Sequence, residues 1–190
     1  GFEDVLTHAL DATSARDFLV EVTAALAMLM TNLSRLCEEI VWWSSGEFGL
    51  FEVADGFATG SSMMPQKKNP IVAEVMRGRS GTVNGCLVEL LTVLKGVSFG
   101  YSSDLQQDKP PVWRALDTVQ GSLTIMTAMI TSLKFKSDRA EARCWESFVT
   151  ATELANYLVR DHKLAFRQAY GVVGGAVKQM LAEKTNFKNT

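Results

Sequence analysis

Residues 18–43, FLVEVTAALAMLMTNLSRLCEEIVWW, carry the pattern that decides the fold of this 190-residue chain. Apolar side chains recur in it at intervals of three and four residues, and apolar residues also fill much of the remaining surface. A helix that is apolar nearly all round is one that lies buried among other helices. The stretch therefore predicts a central bundle helix of about 28 residues, or about 42 Å at 1.5 Å per residue. We expect it to begin near Ser14, with Ser14 and Asp17 as a capping box.

Two more long helices are predicted by the same periodicity, one over about residues 70–94 and one over about residues 112–133. The first begins with a proline, which suits the first helical position. Gly78, Gly81 and Gly85 lie inside it, and each costs about 1 kcal/mol relative to alanine. Their presence indicates the close approach of a neighbouring helix or a ligand.

The elements become shorter after residue 134. Thr150 and Glu153 form a second candidate capping box, ahead of a helix, and a last helix is predicted over about residues 165–182. The predicted fold class is therefore all-α. A long-helix bundle occupies residues 1–134, and a small C-terminal helical domain, expected to be truncated, occupies residues 135–190.

The composition is that of a soluble globular protein, with 47% hydrophobic and 21% charged residues and a formal net charge of -2. This balance argues against a nucleic-acid or membrane-surface partner. The most apolar run, residues 24–30, is far shorter than the ~20 residues that a membrane span needs. Without a recognisable signal peptide, the chain is expected to be cytoplasmic.

Cysteine and histidine usage predicts neither disulfides nor a metal site. Cys37, Cys86 and Cys144 are odd in number and far apart, which is typical of free thiols packed in helices of an intracellular protein. His8 and His162 do not have the spacing of metal ligands.

The segment GSSMMPQKKNP, residues 60–70, concentrates polar chemistry just before a predicted helix. Paired lysines attract an anionic ligand, and Asn69 can bind a carboxylate near a helix N-terminus, where anions are favoured. Gly56 and Gly60 would let the segment close like a lid. On composition alone, however, a solvated polar linker is the commoner interpretation of such a segment.

This segment resembles the signature loop of the fumarase/aspartase superfamily, G-S-S-x-M-P-x-K-x-N-P, and matches it at every fixed position. The variable residues Gln66, Lys67 and Lys68 are similar to those of the argininosuccinate lyase family, whereas fumarases, aspartases and adenylosuccinate lyases carry other residues there. Four further segments look like the same family, so that the resemblance covers essentially the whole chain: LDATSARDF (10–18), YSSDLQQDK (101–109), TATELANYLVR (150–160) and FRQAY (166–170).

The resemblance implies a β-elimination that splits argininosuccinate into fumarate and arginine, in arginine biosynthesis or the urea cycle, without a cofactor. By this resemblance Ser61 is the candidate general base, and Lys67 stabilises the dianionic intermediate. Asn69 is expected to bind a substrate carboxylate. Glu74 matches the glutamate that orients the family's catalytic histidine, a residue that this chain lacks.

A second set of site residues, Tyr101, Gln106 and Lys109, matches the positions that hold the arginine end of the substrate. Taken by themselves, these residues fit a polar turn before a helix equally well. Ser102 and Ser103 replace the family's usual Asn-Lys pair, which affects the expected details of guanidino binding.

The family further implies a homotetramer whose active sites are each assembled from several subunits. A complete lyase is more than twice as long as this chain, so we expect the chain to be a partial protein that is inactive alone and that self-associates through apolar helix faces. Two alternatives stay open: another succinyl-compound lyase, such as adenylosuccinate lyase, and a structural, crystallin-like homologue.

Overall fold

The computed structural model describes residues 3–146 and 148–187, and the chain divides into two compact units, Gly1–Lys134 and Phe135–Thr190. The predicted all-α class is confirmed, since the described regular structure is almost entirely helical. The first unit contains α1 (Ala9–Ser14), α2 (Asp17–Ser44), α3 (Ile71–Leu94), α4 (Lys109–Ser132) and 3-10 turns at Asp55–Phe57 and Ser103–Gln107; the second contains α5 (Ser137–Glu146), α6 (Ala151–His162) and α7 (Phe166–Glu183). Two-residue strands, β1 (Phe51–Glu52) and β2 (Lys134–Phe135), form a two-stranded sheet.

The helices α2, α3 and α4 pack as an antiparallel bundle. One buried cluster joins the end of α2 to the start of α3 and the end of α4, and a second joins their middle portions. The bundle therefore has two ends. The 60–70 loop and residue Lys67 lie at one of them, called here the Lys67 end, and residues 95–109 lie at the other, called the Lys109 end. The buried members are Cys37, Ile40, Val53, Ala73, Met76, Met126 and Met129 in the first cluster, and Ala27, Met30, Val83, Cys86, Ala115 and Val119 in the second.

The predicted start of the central helix at Ser14 is wrong. A short helix, α1, ends at Ser14, and the Ser14 hydroxyl donates to the carbonyl of Leu10 at 3.1 Å inside that helix. Because this hydroxyl is engaged in the preceding turn, it caps nothing, and α2 begins at Asp17 after Arg16 without a side-chain cap.

Two other helix starts differ from the prediction, and a second predicted capping box does not form. Pro70 is the N-cap of α3, one residue before its first helical position. The helix α4 begins at Lys109 because Pro110 and Pro111 lie in its first turn, where a missing N–H costs little. The second predicted capping box is also wrong, since Thr150 has α-region dihedral angles and its hydroxyl makes no capping bond.

The glycines of α3 do not mark a close approach within this chain. Gly78, Gly81 and Gly85 are all exposed, and a Cβ atom on any of them would meet nothing within 4 Å. The expected close approach of a neighbouring helix at these positions is therefore not found within the described part of the single chain.

The helix α2 is buried on one face only, which contradicts the prediction of a helix buried all round. Its outward side chains include Phe18, Met28 and Trp42, which are 61%, 65% and 55% exposed. By length and composition α2 is apolar enough to cross a membrane. The sequence-based prediction considered only residues 24–30 and therefore missed this property of the longer helix. The core helices of helical bundles can be as long and as apolar as membrane spans.

Candidate functional site

The 60–70 loop is closed at its base and projects from the start of α3. Thr59 and Asn69 form an isolated antiparallel bridge, with N–H···O distances of 2.9 and 2.8 Å. Within the loop, Lys67 N donates to the carbonyl oxygen of Met64 at 3.0 Å. The base of the loop is therefore closed by backbone hydrogen bonds, while residues 62–68 are exposed, as the interpretation of a solvated polar linker also expects.

The Ser61 hydroxyl accepts two backbone hydrogen bonds. The N–H groups of Met63 and Met64 both point at its Oγ, each at 3.2 Å. Two N–H dipoles aimed at a single oxygen stabilise negative charge on it. This arrangement supplies part of the stabilisation that a serine base requires. The sequence carries a signal for this contact. Serine hydroxyls often accept hydrogen bonds from backbone N–H groups two or three residues later in the chain.

The two neighbouring lysines of the loop have different surroundings. Lys68 Nζ pairs with Asp55 Oδ1 at 2.5 Å. The hydrogen bond and charge of Lys68, with a smaller contribution from the charge of Lys134, hold the pKa of Asp55 below its ordinary value. Lys67 makes no ion pair with any residue that the structure describes. Its ammonium is therefore the one in the loop that is left for a ligand.

An open polar cleft of about 410 Å³ lies between this loop and the 3-10 turn at Asp55–Phe57. Asp55, which the sequence reasoning did not single out, contributes the acidic side of the cleft. The cleft is lined by Asp55, Ala58, Thr59, Gly60, Pro65, Gln66, Lys67 and Lys68.

Glu74 lies half-buried in the first turn of α3, next to the base of the loop. One turn further along, Arg77 forms an ion pair with Glu38 of α2. His8 is at the other end of the bundle, where its Nδ1 accepts from the N–H of Asp11 at 3.1 Å. The described part of the first unit therefore places no imidazole beside Glu74.

Tyr101, Gln106 and Lys109 gather at the Lys109 end. Gln106 Nε2 donates to Tyr101 Oη at 3.1 Å, and hydrogen bonds from Gln106 and Ser103 hold the pKa of the Tyr101 hydroxyl below its ordinary value. Lys109 Nζ binds Asp108 Oδ1 at 2.7 Å. All three predicted side chains are exposed, so they are available to a ligand.

The two sets of predicted site residues are not brought together within one chain. The 60–70 loop precedes α3, and Tyr101 follows it on the opposite side. The helix between them has 24 residues, which corresponds to about 36 Å at 1.5 Å per residue. A small substrate cannot span this distance, so the two sets cannot act on one molecule from a single chain. Among residues 3–146 and 148–187, no group of three or more His, Cys, Asp or Glu side chains could hold a metal ion.

Two protein-family models match the chain. Residues 1–85 match the family described as Lyase, and residues 148–190 match the family described as Argininosuccinate lyase C-terminal. The second match includes α6, and the sequence TATELANYLVR (150–160) at this helix is one of the segments that resemble the same family.

Curated relatives extend the likeness over the whole chain. An argininosuccinate lyase of Moorella thermoacetica is 48% identical over 100% of this chain and 40% of its own length. One of Symbiobacterium thermophilum is 50% identical over 93% of this chain and 38% of its own length. The chain thus spans about two fifths of the relatives that it matches.

Solved structures agree on the fold. EDDS lyase in complex with formate superposes with a TM-score of 0.79 at 28% identity, covering 97% of this chain and 37% of that protein. A fumarate lyase:delta crystallin from Brucella melitensis has the same TM-score at 18% identity, which supports the fold alone. With the 60–70 loop, the two family models and the curated relatives in agreement, the chain belongs to the argininosuccinate lyase family of the fumarase/aspartase superfamily.

Proposed function

We propose that this chain is the loop-bearing part of an argininosuccinate lyase, which cleaves argininosuccinate into fumarate and arginine in arginine biosynthesis or the urea cycle. The observation that carries this proposal is the Ser61 Oγ beneath two N–H donors, on a loop whose Lys67 is unpaired among the described residues. A related EDDS lyase variant, 27% identical, has been solved with bound fumarate, which supports fumarate as the common product.

The proposed elimination begins when Ser61, as an alkoxide, takes a proton from the succinyl carbon beside a carboxylate. The extra electron pair spreads onto that carboxylate, and Lys67 stabilises the resulting double negative charge. The C–N bond then breaks, its electrons go to the guanidino nitrogen, and an acid protonates that nitrogen. Asn69 binds a substrate carboxylate, and Glu74 orients a histidine that lies outside this chain.

Tyr101, Gln106 and Lys109 would hold the arginine end of a substrate whose succinyl end sits against the 60–70 loop of another copy. An antiparallel neighbour would bring the Lys109 end of one chain to the Lys67 end of the next, which the separation of about 36 Å along α3 requires. We therefore propose a homotetramer for the whole protein. The exposed apolar side chains of α2 support contacts between copies.

The proposed location is the cytoplasm. Cys37 and Cys86 are buried free thiols and Cys144 is an exposed one, a usage that suits a reducing compartment. No nucleic-acid or membrane partner is proposed, because the net charge is close to zero.

The test uses a composite lyase, defined as the M. thermoacetica relative in which the matched segment is replaced by residues 1–190. We expect the chain alone to release no fumarate from argininosuccinate and the composite to release it, as followed by ultraviolet absorbance. Ser61→Ala in the composite should lower kcat by about 100- to 10,000-fold, the usual contribution of a positioned acid or base. Ser62→Ala, which removes the neighbouring exposed hydroxyl, is the matched control.

A composite that assembles like its parent but leaves argininosuccinate intact would contradict the proposal. Turnover of adenylosuccinate in its place would favour the alternative of another succinyl-compound lyase. Loss of activity with Ser61→Ala would exclude a purely structural, crystallin-like role for the assembled protein.

A further inference from the structure

Asp108 is, among the residues that the structure describes, the charged side chain that is completely buried. It stands between the 3-10 turn at Ser103–Gln107 and the first residue of α4. Each carboxylate oxygen has a cation: Arg16 Nε lies 2.5 Å from Oδ2, and Lys109 Nζ lies 2.7 Å from Oδ1. The proposed elimination gives this buried acid no role.

The carboxylate is charged at neutral pH in spite of its burial. Burial alone would raise the pKa of Asp108, but the hydrogen bonds and charges of Lys109 and Arg16 outweigh it and hold the pKa below its ordinary value. A buried carboxylate is tolerated only when it is paired in this way. Because two cations face one carboxylate, the group keeps a net positive charge, which suits an anionic ligand.

The two cations have different surroundings. Arg16 is mostly buried, and its NH1 also donates to the carbonyl oxygens of Thr13 and Ala15 at 3.0 and 2.8 Å. The guanidinium is thus tied to the backbone at the end of α1 and just after it. The Lys109 side chain, in contrast, is 63% exposed. Asp108 therefore links a fixed cation to one that a ligand can reach.

We propose that Asp108 is a positioning residue for substrate binding, which holds the Lys109 ammonium in one place through a carboxylate anchored on Arg16. A free lysine has a long, flexible side chain, and ordering it opposes binding. A lysine that is already held contributes more of its attraction to a ligand carboxylate, such as the one at the arginine end of argininosuccinate. This inference rests on the proposed function for the identity of the ligand, but not for the contact itself.

The first test uses the chain alone and does not depend on activity. An amine-acylating reagent is applied to the folded chain, and the rate of labelling at Lys109 is measured by mass spectrometry. We expect Asp108→Asn to raise that rate about two- to fivefold, because this factor corresponds to the free energy of a partly exposed ion pair. Labelling at Lys178 is the internal reference, and Asp104→Asn, which removes an exposed carboxylate from the same segment, is the matched control. An unchanged Lys109 rate would overturn the proposal.

The second test measures argininosuccinate kinetics in the composite lyase. Asp108→Asn should raise KM by the same factor of about two to five with kcat nearly unchanged, because Lys109 acts at the non-reacting end of the substrate. Lys109→Met should raise KM as well, and the double variant should match Lys109→Met alone, since two residues that act through one contact are not additive. Asp104→Asn should keep the parent KM.

A merely structural Asp108 would give a different result. The variant would then lose thermal stability and folded protein, KM would stay at the parent value, and the effects of the two substitutions would add; that outcome overturns the proposal. If Asp108→Asn does not fold, Asp108→Glu keeps the charge but shifts the carboxylate by one methylene, and the same rise in KM is expected. A composite that assembles but does not cleave argininosuccinate would overturn the proposed function and the substrate named here, while the labelling rates decide separately whether Asp108 holds Lys109.

Discussion

Thr59 and Asn69 exchange two backbone hydrogen bonds, of 2.9 and 2.8 Å, across the base of the 60–70 loop. Each residue supplies one N–H and one carbonyl oxygen, so the chain leaves and returns at the same point. Because closure uses only the backbone, the side-chain amide of Asn69 is not needed for it. Closure of the loop and binding by Asn69 can therefore be separated by mutation.

Opening the base should expose the loop to trypsin. Thr59→Pro removes the N–H that donates to Asn69, so we expect cleavage after Lys67 and Lys68 to become at least about threefold faster, as local opening becomes easier. Thr59→Ala keeps that N–H and should be cleaved at the original rate. Limited proteolysis followed by mass spectrometry measures both rates, and equal rates for the two variants would contradict the role given to the bridge.

The Glu38–Arg77 ion pair should make stability sensitive to acid. Hydrogen bonds from Arg77 of α3 and from Trp42 hold the pKa of Glu38 below its ordinary value. A carboxyl whose pKa is lowered by folding stabilises the fold above its unfolded pKa, and that contribution is lost as the pH falls through the folded pKa. We expect Glu38→Gln to lower the urea midpoint at neutral pH and to flatten its decline below pH 4.5.

Tryptophan fluorescence during urea unfolding follows this effect. Glu39→Gln is the matched control, because Glu39 is bonded to Trp43 of its own helix. An equal change of midpoint in the two variants would show that the contact between α2 and α3 is not the cause.

Much of the fold could be predicted because long helices repeat their apolar spacing many times. The bundle helices and the last two helices were all recognised, while α1 and α5 were missed, since elements of 6 and 10 residues repeat it too few times. Helix starts were less predictable. A hydroxyl such as that of Ser14 can bond forward as a cap or backward into the preceding turn, and the residue type alone does not decide between them.

The candidate site could be predicted from the loop motif, but its supporting contacts could not. Arg16 and Asp108 are 92 residues apart in the sequence and meet only because α2 and α4 begin at the same end of the bundle. Asp55 reaches Lys68 because the loop folds back on its base. The two sets of site residues are separated because the 24-residue helix α3 lies between them.

The three cysteines should differ sharply in reactivity. Burial raises the pKa of the Cys37 thiol to about 11, and Cys86 is also fully buried, whereas Cys144 is exposed on α5. Only thiolates react rapidly with disulfide reagents. We therefore expect one fast thiol in the folded chain and three in urea. Cys144→Ser should remove the fast phase, and a second fast thiol in the folded chain would contradict the packing of the bundle.

Two methionines of α2 should contribute very differently to stability. Met30 is completely buried against the second cluster, whereas Met28 is 65% exposed. Met30→Ala should lower the free energy of unfolding by about 2–5 kcal/mol, because it leaves a cavity. Met28→Ala should change it by less than about 0.5 kcal/mol. Urea titrations at low protein concentration measure both, and similar losses would mean that the buried face of α2 has been assigned wrongly.

The outward face of α2 should drive self-association. Leu29 and Leu36 are 37% and 41% exposed on this face, although leucine side chains gain free energy when removed from water. We expect sedimentation and light scattering to give a mass above the 20.9 kDa of one chain. Replacing both leucines with lysine should restore the single-chain mass without loss of helical circular dichroism. Leu29→Met combined with Leu36→Met keeps this face apolar and should leave the higher mass unchanged.

A stable monomer of the unsubstituted chain would contradict this prediction and would also weaken the proposed active site. The 60–70 loop and Tyr101 lie at opposite ends of α3, a helix of 24 residues. They can serve one substrate only if copies pack side by side in opposite directions. The same lysine substitutions, placed in the composite lyase, should therefore abolish fumarate release together with assembly. Full activity of a monomeric variant would mean that one chain completes the site without its neighbours.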